Sequence, residues 1–266
     1  MDGIPASTPR MVARSDGPVG WMMFDNPARR NAVSTEMWAA IPGIIQRYED
    51  DPSIRVIALS GTGHRAFVAG ADISQFESQR NSPETVKAYE QVGQAASHAI
   101  RYASKPTVAV VRGWCIGGGV GIAAGCDIRW AAEGARFGIP AGRLGLGYGY
   151  DGVKNLVDLV GPAFARELFY TARHFSAAEA LAMGLVNRVL PDDALDAFVA
   201  EQFALMAANA PLTLHAVKRA VAEVARGPEA DKVAVAELVR SCFESADYAE
   251  GRRAFMEKRA PVFTGS

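Results

Sequence analysis

Three short apolar runs bounded by glycine or proline set the tightest limit on the fold: "VGWMMF" (Val19 to Phe24), "IRVIALSG" (Ile54 to Gly61) and "PTVAVVRG" (Pro106 to Gly113). Runs this short and this apolar read as strands buried on both faces, and "DIRWAA" (Asp127 to Ala132) is a shorter fourth. Helical patterns lie between them. Ser34 is placed to cap the segment 35–50, which Pro42 and Gly43 are expected to bend or break. Ser82 followed by Pro83 opens a second helix that runs to about Ala103. From Phe164 onwards the pattern is mostly helical, except that Gly184 stops one helix and "LVNRVLP" returns as an extended segment. The alternation predicts an α/β fold, with a core over residues 1–200 and a helical C-terminal region over 201–266 in one continuous domain.

Composition narrows the function. A chain that is 49% hydrophobic and 21% charged is ordinary for a globular protein. No apolar run reaches the ~20 residues needed to span a bilayer, and the first thirty residues lack a signal-peptide core, so a cytoplasmic protein without a membrane partner is expected. The three cysteines, Cys115, Cys126 and Cys242, have no CxxC spacing and leave one unpaired in any disulfide scheme; they read as buried thiols in a reducing compartment. A net charge of −1 and an acidic residue set in 35–51 argue against a nucleic-acid surface. Zinc, phosphate-loop and nucleophile-elbow motifs are missing, so no metal and no separate cofactor are expected.

Two glycine-bearing segments follow strands: "GTGHRAFVAGADISQF" (Gly61 to Phe76) and "GWCIGGGVGIAAGCDIRW" (Gly113 to Trp130). In the second, three glycines open a stretch of small residues with helical character. Glycine lets backbone approach a ligand, and the free amides of a helix N-terminus favour negative charge, so such a turn can hold an oxyanion. Tight strand-to-helix packing would need the same glycines. "GVGIAA" also fits a dinucleotide fingerprint, but it does not begin at the strand end, and no acid occurs between Gly134 and Tyr150 to bind a ribose.

Six stretches, in order from Asn26 to Phe263, resemble the crotonase superfamily, the enoyl-CoA hydratase/isomerase family: "NPARRNAVS", "AFVAGADISQF", "KPTVAVVRGWCIGGGVGIAAGCDIRWA", "ARFGIP", "SAAEALAMGLVNRVLP" and "EGRRAFMEKRAPVF". The resemblance implies a spiral of ββα units with a helical trimerisation region, an acyl-CoA substrate, and a homotrimer or hexamer. Coenzyme A would then be part of the substrate rather than a cofactor. The resemblance also places the thioester oxygen between the backbone amides of Ala71 and Gly118, where a developing enolate would be stabilised. By the same carry-over, backbone near Arg29, Arg30, Ala32, Ala69, Asp72 and Ile73 would cradle CoA, and Phe255 and Lys258 would reach a neighbouring subunit's CoA. Arg29, Arg30 and Lys258 suit phosphates; as surface residues they would simply be solubilising charge. Asp72 reads as a structural acceptor.

The resemblance fails at the acids. Family hydratases carry two glutamates where this chain has Gly121 and Ala141, and neither of these can move a proton. Nearby polar groups lie in "RFGIPAGRLGLGYGYDG". Tyr148 falls where decarboxylating relatives hold a tyrosine near the acyl carboxylate. Tyr150 and Asp151 follow at a helix start, where an aspartate commonly caps. Arg143 would pair with a substrate carboxylate or with Asp151. His98 reads as a half-buried histidine or a proton shuttle, His215 as a surface helix position, and His64 and His174 carry no catalytic signature. The expected activity is that of a lyase or isomerase on acyl-CoA, with Tyr148 and Asp151 as catalytic candidates. Decarboxylation, ring cleavage, thioester hydrolysis and a non-catalytic CoA binder are the alternatives.

Overall fold

A computed structural model describes residues 10–72 and 82–266. Its strands form two sheets. The larger runs in the order β1 (Met11–Asp16), β2 (Val19–Phe24), β3 (Val56–Gly61), β5 (Thr107–Val111), β7 (Ile128–Ala132), β10 (Arg188–Leu190), with only the β1–β2 pair antiparallel. The smaller holds β4 (Ala66–Val68), β6 (Trp114–Ile116), β8 (Arg136–Gly138) and β9 (Phe175–Ser176).

The helices in chain order are α1 (Thr35–Asp50), α2 (Pro83–Arg101), α3 (Gly118–Gly125), α4 (Ala141–Leu144), α5 (Tyr150–Thr171), α6 (Ala177–Ala182), α7 (Leu195–Ala207), α8 (Pro211–Val224), α9 (Lys232–Glu244) and α10 (Ala246–Glu257). Three times the chain follows one path: a strand in the large sheet, a short strand in the small sheet, then a helix. The units are β3–β4–α2, β5–β6–α3 and β7–β8–α4, which is the expected ββα spiral, and helices fill the C-terminal end.

Burial on both faces explains why the large-sheet strands are apolar throughout. In β3, Ile57 and Leu59 face the main core with α1's Ile41, Ile44 and Ile45, while Val56 and Ala58 face a second cluster with Leu195, Val199 and Phe203 of α7. Helix α7 therefore packs on the sheet while its chain runs across residue 200.

Helix α1 departs from expectation. Ser34 caps it, its Oγ accepting from the Met37 amide at 3.3 Å, but Pro42 does not end it: one helix spans all of Thr35–Asp50. The buried stripe on both sides of Pro42, from Met37 to Tyr48, outweighs one forfeited backbone bond. Ser82 caps α2 as its sequence indicates, accepting from the Thr85 amide. Helix α5 breaks at Gly161 (φ 72°, ψ 167°), just before Pro162.

Glycines mark the corners where the chain leaves the large sheet for the small one. A Cβ on Gly61, the last residue of β3, would stand 2.2 Å from the Ala66 carbonyl oxygen; one on Gly113, between β5 and β6, would stand 2.1 Å from that of Arg65.

Candidate active site

The site is assembled by strand register. β4 and β6 lie parallel, with Val68 opposite Cys115, and each strand runs on into a glycine turn. The two turns touch: a Cβ on Gly117 would be 4.0 Å from the Gly70 Cα, and one on Gly70 would be 3.5 Å from the Ile116 carbonyl oxygen. Both glycines have positive φ, 110° at Gly70 and 54° at Gly117. A side chain at either would be strained and would crowd the junction.

Helix α3 begins at this junction. Gly117 takes the N-cap position, and the first bond within the helix runs from the Gly121 amide to the Gly117 carbonyl at 3.2 Å. The amides of Gly118, Gly119 and Val120 thus have no acceptor inside the helix, and they sit at its positive end. Gly119 lets α3 rest on β4, since a Cβ there would be 2.2 Å from the Val68 carbonyl oxygen. Ala71 and Gly118 are both partly exposed.

The loop Asn26–Ser34 forms one wall, laced to the first turn by Ala69 N–H to Arg30 C=O (3.1 Å), Val33 N–H to Gly70 C=O (2.9 Å) and Asp72 N–H to Val33 C=O (3.0 Å). Arg30 and Asn31 both adopt left-handed backbone, φ 51° and 57°, which costs each about 1–2 kcal/mol. Buried polar side chains hold that shape. The Asn31 amide group donates to the carbonyls of Thr62 (3.1 Å) and Ala66 (2.8 Å), its Oδ1 accepts from the Asn26 amide (3.0 Å), and Asn26 donates to the Ala32 carbonyl (3.0 Å). Sequence reasoning passed over both asparagines; flanked by Asp25 and Pro27 and by Arg30 and Ala32, neither stands out in the sequence.

Asp72 is 5% exposed and receives Arg29 at 2.5 Å and Arg10 at 3.6 Å. Its carboxylate thus accepts from arginine, in keeping with a structural acceptor. Arg29 keeps a half-exposed side chain, and the Arg30 guanidinium lies 5.9 Å from the centre of the Trp114 ring. Ile73 lies outside the described residues. Phe255 is 82% exposed, and Lys258, in a left-handed C-cap with φ 55°, is exposed as well.

The third strand of the small sheet, β8, pairs with β6 and delivers Ala141 to the same end; the Gly117 amide donates to the Gly138 carbonyl at 2.8 Å. Ala141 is buried, whereas Gly121 is exposed and a Cβ there would meet nothing within 4 Å. Tyr148 is half-buried, its ring edge-on to Phe169 at 4.9 Å. Gly149 takes the N-cap of α5, so Asp151 lies inside the first turn, exposed, where its charge complements the helix dipole. Tyr150 is 79% exposed and Arg143 is also exposed.

His98 is exposed rather than half-buried, with its ring 4.5 Å from Tyr102. His215 is half-buried in a crevice with Glu49 and Lys105 rather than on open surface, and desolvation holds its pKa below the usual value. His174 packs edge-on to Trp114 at 4.9 Å, and His64 is exposed. Burial pushes the thiols of Cys115 and Cys126 up, the latter to about 12, which leaves both protonated and unreactive near neutral pH. Among the described residues no group of acids, histidines and cysteines is arranged to hold a metal ion.

Adjacent glycine turns at the ends of parallel strands, within a ββα spiral, define an α/β protein of the crotonase type. The chain belongs to the enoyl-CoA hydratase/isomerase family, whose model matches residues 14–266. It is 34% identical to the short-chain-enoyl-CoA hydratase of Clostridium acetobutylicum over 94% of this chain and 95% of that one. It is 33% identical to the carnitinyl-CoA dehydratase of Salmonella typhi, over 94% and 96% of the two chains. An enoyl-CoA hydratase/carnithine racemase from Magnetospirillum magneticum superposes with a TM-score of 0.94 at 35% identity, covering 98% of this chain and 97% of that one. No described helix is long and apolar enough to cross a membrane.

Proposed function

We propose that the protein binds an acyl-CoA thioester with its carbonyl oxygen between the backbone amides of Ala71 and Gly118 and stabilises the enolate that forms there. The observation that supports this reading is the contact between the Gly70 and Gly117 turns, the second of which opens α3. A proton next to a thioester is only weakly acidic, so chemistry at that carbon needs its oxyanion held. A preorganised donor can supply ~3–4 kcal/mol of that. Arg29, Arg30 and Lys258 then meet phosphates of CoA, and the backbone from Ala69 to Asp72 with Ala32 lines the path to them.

With Gly121 and Ala141 carrying no acid, proton transfer falls to Tyr148 and Asp151 at the opening of α5. The open space at Gly121 favours one second reading, decarboxylation, which creates an enolate without a strong base and needs only the hole and an oriented carboxylate.

The experiment is turnover of crotonyl-CoA, methylmalonyl-CoA and a cyclic acyl-CoA followed by mass spectrometry, with wild type, Tyr148→Phe and Asp151→Asn. For a hydratase, crotonyl-CoA gains water and Asp151→Asn lowers that rate about 100-fold or more, the usual range for a lost acid or base. Carbon dioxide release from methylmalonyl-CoA that collapses in Tyr148→Phe supports decarboxylation instead. CoA binding without turnover of any thioester would refute both.

A homotrimer or a pair of trimers belongs to this proposal. Val217, Phe243, Phe255 and Met256 on α8–α10 are 56%, 61%, 82% and 80% exposed, and apolar surface of this extent is ordinarily covered. Light scattering should return a multiple of three chains; a monomer would leave Phe255 and Lys258 without the neighbour they are meant to serve.

A further inference from the structure

Helix α3 begins at the Gly117 turn and ends on a buried cation. Its eight residues are glycine, valine, isoleucine and alanine, with no charged or hydroxyl side chain to cap either end. Arg129, on the strand β7 that follows, is 3% exposed and closes the C-terminal end. Its Nη1 donates to the carbonyls of Ala123 (3.3 Å) and Cys126 (2.6 Å), its Nε to that of Leu185 beyond α6 (2.9 Å) and its Nη2 to that of Asp127 (3.5 Å). Asn187 fixes the strand there, its Oδ1 accepting from the Arg129 amide at 2.9 Å. Every acceptor of the guanidinium is a backbone carbonyl. Among the described residues no carboxylate pairs with it: Asp127, two positions away, accepts from the Thr107 amide (2.7 Å) and hydroxyl (3.0 Å) and pairs with Lys218 of α8 at 2.9 Å. A buried charge is ordinarily paired, and a neutral side chain would avoid the cost of desolvating it. What favours a net positive charge at this point is the negative end of a helix.

We propose that Arg129 is a positioning residue for the oxyanion, acting through α3 to raise the positive potential at the amides of its first turn. Gripping the Ala123 and Cys126 carbonyls fixes the axis of a helix too short to hold itself. The charge also cancels the negative end of the helix dipole, and at 1.5 Å per residue that end lies only about 12 Å from Gly118. A unit charge at about that range, in protein of effective dielectric about 20, changes the stability of an anion about five- to tenfold. The inference rests on the thioester reading above, and it adds a group that acts on the oxyanion without touching it.

Bound acetoacetyl-CoA reads this potential, because its enolate puts negative charge on the thioester oxygen and absorbs in the ultraviolet apart from the neutral form. Titration of the complex by absorbance gives the ionisation constant of the bound thioester, and calorimetry with butyryl-CoA gives the affinity for a neutral one. Arg129→Met should lower that ionisation constant about five- to tenfold and leave the butyryl-CoA affinity nearly unchanged. Arg129→Lys, which retains the charge, should restore most of it. Lys218→Met carries the test if the methionine variant does not fold: it frees the Asp127 charge to offset Arg129, and should lower the same constant about two- to threefold from outside the helix. A constant unchanged in the folded variants, an Arg129→Lys as low as Arg129→Met, or an equal loss of affinity for both thioesters at an unchanged constant would overturn the role of Arg129 and leave the thioester site standing. Wild-type protein that binds neither thioester, or that does not raise the ionisation of acetoacetyl-CoA above its free value, would overturn the oxyanion site and this inference with it.

Discussion

Gly118→Pro is expected to lower kcat on the protein's thioester about 100- to 1000-fold while the fold survives, because it deletes one amide and little else. Gly118 is the first residue of α3, after the N-cap Gly117, and the first helical position is where proline is best tolerated. Its N–H has no acceptor inside the helix, so no helical bond is lost. The added ring atoms do approach Trp38, 3.2 Å from a Cβ, and Gly118→Ala supplies the comparison: it carries the same Cβ and retains the N–H. A large kcat loss in the proline variant beside a small one in the alanine variant assigns the effect to the donor. Equal losses would assign it to crowding against Trp38, and an unchanged kcat in a folded Gly118→Pro would remove Gly118 from the oxyanion hole.

Gly113→Ala should cost about 3 kcal/mol or more of stability, from two causes that add at one atom. Its φ is 60°, a conformation that penalises a side chain by about 1–2 kcal/mol. A Cβ there would also meet backbone, the Arg65 carbonyl oxygen at 2.1 Å and its carbon at 2.4 Å, at the corner where the chain passes from β5 to β6. That backbone is tied on both sides, with the Trp114 amide donating to Arg65 C=O at 3.2 Å and the Arg136 amide to Gly113 C=O at 2.9 Å, so relief costs a further ~1–3 kcal/mol. For a chain of this size the melting temperature should fall by about 10 °C. Gly63→Ala is the control, with φ 71° and nothing within 4 Å of its Cβ; it should lose only the conformational part. Thermal unfolding by circular dichroism reads both. Equal shifts would mean that the corner relaxes around the new methyl.

The same corners explain what a reader of the chain misses. β4, β6 and β8 are three residues each and β9 is two, too short for any periodicity to show, yet the pairing of β4 with β6 accompanies the contact of the Gly70 and Gly117 turns. β1 escapes because "MVARSD" turns polar towards its end at the edge of the large sheet. Pro42 marks a helix break that tertiary burial overrides.

By itself, the sequence determined the α/β class, the strands of the large sheet other than β1, the caps at Ser34 and Ser82, and the glycine turns with the family they belong to. These depend on local composition and spacing, which a chain carries wherever it folds. Only the tertiary structure decided that Gly70 touches Gly117, that Asn26 and Asn31 hold the strained wall, and that Arg129 ties the far end of α3 to Leu185. Those contacts join residues from distant parts of the chain, and whether a buried charge meets an acid or only carbonyls depends on what packs around it.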